Sequence, residues 1–331
     1  MVLIISDEID QTTNIVIEWL INTGVKSLRI NSNTFFESIN IEIVSNDNIH
    51  IELCNIAVKG DKISLDNIKS FWYRKGDLNY DFSLFSDNIK NGLKKGTLNH
   101  LINEWVTLKE FIIQNLSKKD RHIGDFFEKY TNKLDYLCLA SECEFLIPHT
   151  YICNSKENIF NILERNKKKR FITKSIQDIF NLVYDNKSIY TYTSEVTKDD
   201  IKKLPDLFFP SLLQEKIDKK FELRIFFLNE QIFPMAIFSQ LDEMTKIDYR
   251  NYNIKKPNRC VPYSLSATLK RQLEEFIEKS KLNTGSIDII VTKSDEFYFL
   301  EVNPSGQFGD LSYNCNYNIE KKIANYLSHG K

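Results

Sequence analysis

The sequence predicts a mixed chain, α/β at its N-terminal end and α+β beyond it. Three observations carry that expectation: a strand–helix–strand pattern running from Val2 to Asn31, a 3.6-residue apolar period sustained from Gly96 to Ser117, and five runs with period-2 alternation in the C-terminal third. At 331 residues there is room for about two domains.

The elements follow in order. VLIIS opens as a strand, and DQTTNIVIEWLINTG reads as a helix with Ile15, Trp19 and Leu20 on one face. Gly24 stands where a helix C-terminus wants a left-handed residue. SLRIN returns as a strand, then come the alternating runs IEIVS and IHIELCN, a turn at Gly60-Asp61 and the strand-like FWYRK of 71–75. The long helix puts Leu98, Leu101, Ile102, Trp105, Leu108, Phe111, Ile112 and Leu116 on one stripe. Next are a helix over Lys133 to Cys143, an extended PHTYICN, a helix from Ser155, a strand FITKSI and a hairpin-like SIYTYTSEV. SLLQEKI, ELRIFFLN, QIFPMAIFSQ, SIDIIVT and FYFLEVN then alternate as strands rich in β-branched and aromatic residues. With the helix LKRQLEEFIEKS they predict an antiparallel sheet carrying a packed helix.

Composition excludes several functions. Lys plus Arg number 44 against 45 Asp plus Glu, without the basic excess that phosphate-backbone binding needs. The expectation is no nucleic-acid partner. Only ten glycines occur and no two are spaced as GxG, so a dinucleotide fingerprint, a kinase loop and a P-loop are all excluded. Any phosphate held here must be held by side chains. The six cysteines contain no CxxC pair and the five histidines no HExxH, which speaks against zinc and thiol-redox chemistry. Scattered thiols read as reduced, hence cytoplasmic. The apolar run at Val2–Ile5 is too short for a signal peptide or a membrane span.

The sharpest local signal is SIDIIVT followed by FYFLEVNPSGQF. Glu301 and Asn303 stand at i and i+2 on one strand, and Asp288 can lie opposite them across a hairpin. Two carboxylates and an amide oxygen are hard ligands, suited to Mg²⁺ carrying substrate phosphates. In isolation the same pattern also describes the solvated face of an edge hairpin. Lys174 inside FITKSI must snorkel or meet an anion. Arg224, two residues after Glu222 and before the apolar IFFL, needs a carboxylate or phosphate partner, and a core salt bridge with Glu222 would also satisfy it.

The order of these pieces (Lys133 in NKL, Lys174 in FITKS, QEKI, ELR, then D…EVN) resembles that of the ATP-grasp ligases. FWYRK, PHTYICN, YTYTSEV, PSLLQEKIDKKFELRIF and IDYR at 247–250 extend it along nearly the whole chain to the graspetide ligases, the microviridin-type and grasp-with-spasm peptide maturases. The resemblance implies an ATP-grasp fold with an N-terminal pre-ATP-grasp α/β domain (1–122), a central α+β domain (123–210) and a C-terminal antiparallel-sheet domain (211–331) holding the Mg²⁺ and ATP site. It implies Lys133 and Lys174 on the α and β phosphates, Glu215, Lys216 and Ile217 as the hinge along adenine, and Glu222 on the ribose hydroxyls. Asp288, Glu301 and Asn303 would hold Mg²⁺. Arg224 would face the γ-phosphate, and Arg250 would sit beside the acceptor carboxylate, with Asp248 and Arg74 as further substrate contacts. The implied partner is a precursor peptide, leader plus core, with no membrane; the oligomeric state stays open, a homodimer included. The sequence departs from the family in the phosphate-covering segment after Lys174, which lacks glycine. Two alternatives share the nucleotide contacts: a ligase acting on small molecules or protein C-termini, and a nucleotide-binding scaffold without turnover.

Overall fold

The computed structural model describes residues 1–31, 33–44, 48–55, 62–82, 95–127, 132–177, 181–184, 187–190, 193–240 and 257–330. They fall into two compact units, Met1–Lys129 with Asn318–Lys331, and Tyr130–Tyr317.

The first unit opens with β1 (Val2–Ile5), α1 (Gln11–Asn22) and β2 (Ser27–Ile30). Then come β3 (Phe35–Val44), β4 (Asn48–Asn55), β5 (Lys62–Ser64), β6 (Ser70–Tyr73), β7 (Asn79–Tyr80), α2 (Lys95–Ser117) and β8 (Arg121–Ile123). A parallel sheet runs in the order β2-β1-β6-β8, and a second sheet in the order β5-β4-β3-β7. The expected Gly60-Asp61 turn lies outside the described residues. β1 and β6 are buried along their whole length, as parallel strands covered on both faces must be. Gly124, at φ +74, is needed for space as well as conformation: a Cβ there would lie 2.2 Å from the Tyr73 carbonyl oxygen.

Helix α1 exists as expected but is turned on its axis. Its buried residues are Thr12, Thr13, Val16 and Leu20, while Ile15 is 41% exposed. The cap explains the phase. The Asp10 side chain accepts from the Thr13 N–H at 3.1 Å and from the Thr12 hydroxyl, drawing two threonines inward beside Arg74. In α2, Trp105, Ile112, Ile113 and Leu116 are buried, whereas Ile102 and Leu108 remain about two-fifths exposed. The predicted stripe is therefore covered mainly toward its C-terminal end.

The second unit contains α3 (Lys133–Glu142), β9 (Thr150–Ser155), α4 (Lys156–Arg165), β10 (Phe171–Thr173), β11 (Asn181–Tyr184), β12 (Lys187–Tyr190), β13 (Ser194–Glu195), α5 (Lys198–Lys203) and β14 (Leu207–Glu215). These continue into β15 (Lys219–Leu228), β16 (Gln231–Phe238), β17 (Arg259–Pro262), α6 (Ala267–Ser280), β18 (Thr284–Thr292), β19 (Phe297–Asn303) and α7 (Gly309–Asn314). One sheet has the order β13-β10-β14-β9; the other is five-stranded and antiparallel, β17-β16-β15-β18-β19. Asn132, Ser155 and Ser266 cap α3, α4 and α6 through their side chains. The hairpin foreseen in SIYTYTSEV forms one step earlier, between β11 and β12, while β13 pairs with β10.

The five-stranded sheet has two different faces. Leu223, Ile225, Ile287, Ile289, Phe299 and Val302 pack with α6 into one apolar core. Glu222, Arg224, Asp288 and Glu301 belong to the opposite face. The last element, α8 (Ile319–His329), belongs to the first unit, where Ser70 Oγ donates to the Leu327 carbonyl at 2.6 Å and Arg121 donates to that of Ser328. Lys321 places its ammonium 4.8 Å from the centroid of the Trp19 ring. Among the described residues no helix is long and apolar enough to cross a membrane.

The first unit carries a buried ion pair. Arg74 Nε lies 3.2 Å from Asp10 Oδ2, both side chains being 5% exposed or less, and the two meet as charges rather than in hydrogen-bond alignment. Burial pushes the Asp10 carboxyl up, but the Thr12 hydroxyl, the Arg74 charge and the Thr13 N–H outweigh it and hold Asp10 below its ordinary value. A depressed carboxylate adds stability above the ordinary aspartate value of 3.8 and loses it as pH falls through the folded-state value. Asp10→Asn should therefore cost about 3–5 kcal/mol at neutral pH and flatten the acid limb of the stability profile. Urea unfolding followed by tryptophan fluorescence reads this selectively, since Trp19, Trp72 and Trp105 all lie in the first unit.

Candidate active site

The polar face of the five-stranded sheet is built by register. Across three adjacent strands Arg224 pairs with Asp288, and Asp288 with Glu301. Strict alternation would not allow this, because Phe299 and Glu301 would then share a face. An irregularity in β19 between the Asp288/Glu301 and Ile289/Phe299 pairs leaves Leu300 over, so Phe299 stays in the core while Glu301 turns to Asp288. A second irregularity, between Lys219 and Phe221 in β15, brings Lys219 round to Glu222.

Two carboxylates directly opposed on neighbouring strands repel unless cations attend them. Here three do. Lys133 Nζ and Lys174 Nζ stand 3.3 and 3.7 Å from Glu301 Oε2. Arg224 Nη1 donates to Asp288 at 3.3 and 3.4 Å, and its Nε and Nη2 donate to the Gln307 carbonyl at 3.3 and 3.2 Å. Lys133 comes from the first turn of α3, Lys174 from the end of β10, and the others from β15, β18 and β19. Asn303, two residues beyond Glu301, has its Oδ1 accepting from the Ser305 N–H at 3.0 Å. Asp288, Glu301 and Asn303 together present a hard oxygen donor set that fits Mg²⁺. Among the described residues no group of three or more His, Cys, Asp or Glu gathers as a metal cluster, so such an ion would draw its other ligands from substrate and water.

Glu222 does not serve Arg224 as a salt-bridge partner. It is buried, with Oε1 2.6 Å from Lys219 Nζ and Oε2 accepting from Ser239 Oγ at 3.0 Å. Burial pushes its carboxyl above the ordinary glutamate value, against the pull of Lys219 and Ser239. The segment Glu215–Ile217 is tied through its first two residues. The Glu215 N–H donates to the His149 carbonyl and the Lys216 N–H to the Arg170 carbonyl, each at 2.8 Å. Glu215 also binds Lys169 at 2.8 Å, and Lys216 binds Glu195. Lys169, Glu195, Lys219, Ser239 and the Gln307 carbonyl are site-building groups that sequence reasoning missed. Lys219, Glu195 and Gln307 stand within motifs the sequence offers, KKFELR, YTYTSEV and FYFLEVNPSGQF, whereas Lys169 and Ser239 left no trace.

The structure thus brings Lys133, Lys174, Arg224, Asp288 and Glu301 into one ion-pair network, with Asn303 alongside on β19. Arg74 lies in the other unit, 3% exposed and paired with Asp10. Asp248 and Arg250 lie outside the described residues.

Residues 1–128 match the MvdD pre-ATP grasp domain family. No curated protein matches the chain. Solved structures match it over its full length. A RiPP-associated ATP-grasp ligase of Chryseobacterium gregarium, in complex with ADP and a leader and core peptide, superposes at a TM-score of 0.82 with 24% identity, covering 100% of this chain and 97% of that one. The macrocyclase MdnC of Microcystis aeruginosa MRC, bound with precursor peptide MdnA, gives 0.78 with 27% identity and 100% of both chains. The chain thus resembles peptide-modifying ATP-grasp ligases along its whole length. PsnB, complexed with a phosphomimetic precursor variant, Mg and ADP, shares the fold at a TM-score of 0.67 with 15% identity, covering 99% of this chain and 97% of that one. The β11–β12 hairpin follows Lys174 in the chain, Asn181 pairing with Tyr190 and Tyr184 with Lys187.

Because the folded-state value of Glu222 is raised, its ionisation weakens the fold as pH climbs through the ordinary value of 4.5 toward the folded one. Lys219→Met removes the nearest compensating charge. It should cost about 3–5 kcal/mol at neutral pH, with the urea midpoint by circular dichroism falling from pH 5 to 8 more steeply than in the unaltered protein.

Proposed function

We propose that the protein transfers the γ-phosphoryl group of ATP to a side-chain carboxylate of a ribosomally made precursor peptide and joins the resulting acyl phosphate to a hydroxyl or amine of the same peptide, releasing ADP and phosphate. The bonds made are ω-esters or ω-amides. The observation that carries this reading is the row Arg224–Asp288–Glu301 with Lys133 and Lys174 closing on it, in a chain that matches peptide-modifying ATP-grasp ligases from end to end. The alternatives, a ligase acting on small molecules or protein C-termini and a nucleotide-binding scaffold without turnover, have weaker support.

The roles follow from chemistry. Lys133 and Lys174 act as point charges on the nucleotide phosphates, in place of a glycine-rich backbone cradle. Bound at Asp288, Glu301 and Asn303, Mg²⁺ would supply charge neutralisation between phosphate oxygens. Arg224, with its planar fork of donors, meets the phosphoryl group in flight and then the acyl phosphate. Glu222 takes the ribose hydroxyls, and the backbone of Glu215 to Ile217 meets adenine. Among the described residues no partner takes the Ile217 N–H. No covalent nucleophile on the protein is needed; orientation and charge carry the barrier reduction. Arg250, with Asp248, serves the acceptor carboxylate. The leader docks in a cavity of about 680 Å³ between α4 and α5, where Phe160, Leu163, Ile201 and Leu207 offer apolar surface to an amphipathic helix.

Incubation of the full chain with Mg-ATP and its cognate precursor should remove mass from the peptide in multiples of one water, with ADP formed in step. Constant peptide mass alongside ADP release driven by free amino acids would favour the small-molecule reading instead.

The ion pairs make a second, less obvious prediction. Lys133 and Lys174 are engaged by Glu301, so phosphates must compete with that carboxylate until a cation takes it. Glu301→Gln should bind ATP in excess EDTA several-fold more tightly than the unaltered protein, by calorimetry, while losing Mg²⁺-dependent turnover. Equal affinities in EDTA would show that Glu301 does not restrain the two lysines.

A further inference from the structure

Among the described contacts of Arg224 are two unlike partners. Asp288 is a charged group whose proposed role is to bind a cation, and a cation there takes its attraction away from the guanidinium. The Gln307 carbonyl is neutral, belongs to the backbone and accepts from both Nε and Nη2 at 3.3 and 3.2 Å. It is therefore a partner that keeps hold of Arg224 when Asp288 turns to a metal.

What sets that carbonyl in place is the turn after β19. The Gly306 N–H donates to the Asn303 carbonyl at 3.0 Å, the Ser305 N–H to Asn303 Oδ1, and Ser286 Oγ donates to the Gln307 carbonyl at 3.4 Å. The turn lies hard against β18. A Cβ on Gly306 would stand 2.4 Å from both Cβ and Oγ of Ser286, itself 1% exposed, and 3.0 Å from the Asn303 carbonyl oxygen. No left-handed φ accompanies this glycine. The position asks for space, not for backbone freedom.

We propose that Gly306 is a positioning residue: its missing side chain lets the 304–307 turn seat on Ser286, so that the Gln307 carbonyl fixes the Arg224 guanidinium over the sheet in the place where phosphoryl transfer needs it. The proposal rests on the role given to Arg224 above. Because the acceptor is a backbone oxygen, no side-chain deletion removes it, and Gly306 is where substitution shifts it.

The test uses the full chain with its arginine Nε atoms labelled with ¹⁵N, the Arg224 Nε–H signal being assigned by its loss in Arg224→Lys. Gly306→Ala should move or broaden that signal in the ligand-free protein. It should also lower kcat for precursor-dependent ADP release by about tenfold to a hundredfold with the KM for ATP within twofold, since Lys133 and Lys174 are untouched. Adding Ser286→Gly removes both atoms of the closest contact and should restore the signal and most of kcat; adding Ser286→Ala leaves the Cβ and should restore neither. An unmoved signal in Gly306→Ala overturns the proposal, as does a fall in kcat that leaves the signal in place. If Gly306→Ala does not fold, refolding by Ser286→Gly with the signal restored supports it, and failure of that pair to recover overturns it. Absence of precursor-dependent ADP release in the unaltered protein would count against the proposed function, while the ligand-free spectra would still decide the link from Gly306 to Arg224.

Discussion

The site depends on one constraint, that Asp288 and Glu301 face each other across β18 and β19 on the side of the sheet away from its apolar core. Opposed carboxylates are unfavourable neighbours, and the rest of the arrangement answers that cost. Arg224 comes from the strand on one side, Lys133 from a helix N-terminus, and Lys174 from the end of a strand in the other sheet of the same unit. Each of these cations is thereby held in place by a carboxylate, its side chain partly ordered. Preorganisation of this kind lowers the reorganisation needed during the reaction.

Sequence and structure agree wherever the signal is periodic and local. The alternation put Glu222 and Arg224 two apart on one strand and Asp288 opposite Glu301 across a hairpin, as found, and the helices expected over Lys133 to Cys143 and from Ser155 both form. Agreement ends where the period breaks. Leu300 and the Lys219–Phe221 step are bulges, and a bulge inverts every inside-outside assignment beyond it. One clue was present: Phe299 and Val302 are both apolar and three apart, a spacing no regular strand buries on one face. The phase of α1 was hidden for another reason. Hydrophobicity favoured Ile15, but the Asp10 cap and the buried Arg74 chose the threonines. Ion-pair partners far apart in sequence, such as Lys169 with Glu215 or Lys216 with Glu195, leave no local pattern at all.

The scarcity of glycine is consistent with this chemistry. A chain with so few glycines does not wrap phosphates in backbone N–H groups. Glycine stands instead where a neighbour comes too near for a side chain, at Gly124 against the Tyr73 carbonyl and at Gly306 against the Ser286 side chain.

The return of α8 to the first unit has a consequence for biogenesis. Everything from Tyr130 to Tyr317 is inserted, in chain order, between two parts of one body. During synthesis the parallel sheet is made early, yet Ser70 and Arg121 wait for the carbonyls of Leu327 and Ser328, which emerge only after the whole inserted body. The nascent chain must therefore carry an incomplete N-terminal body, with the flank that α8 will cover still bare, while the second unit forms. That interval is when it is most exposed to aggregation and to chaperone capture, and a messenger truncated before α8 would yield a protein whose candidate site residues are all present in the second unit while its first unit stays incomplete.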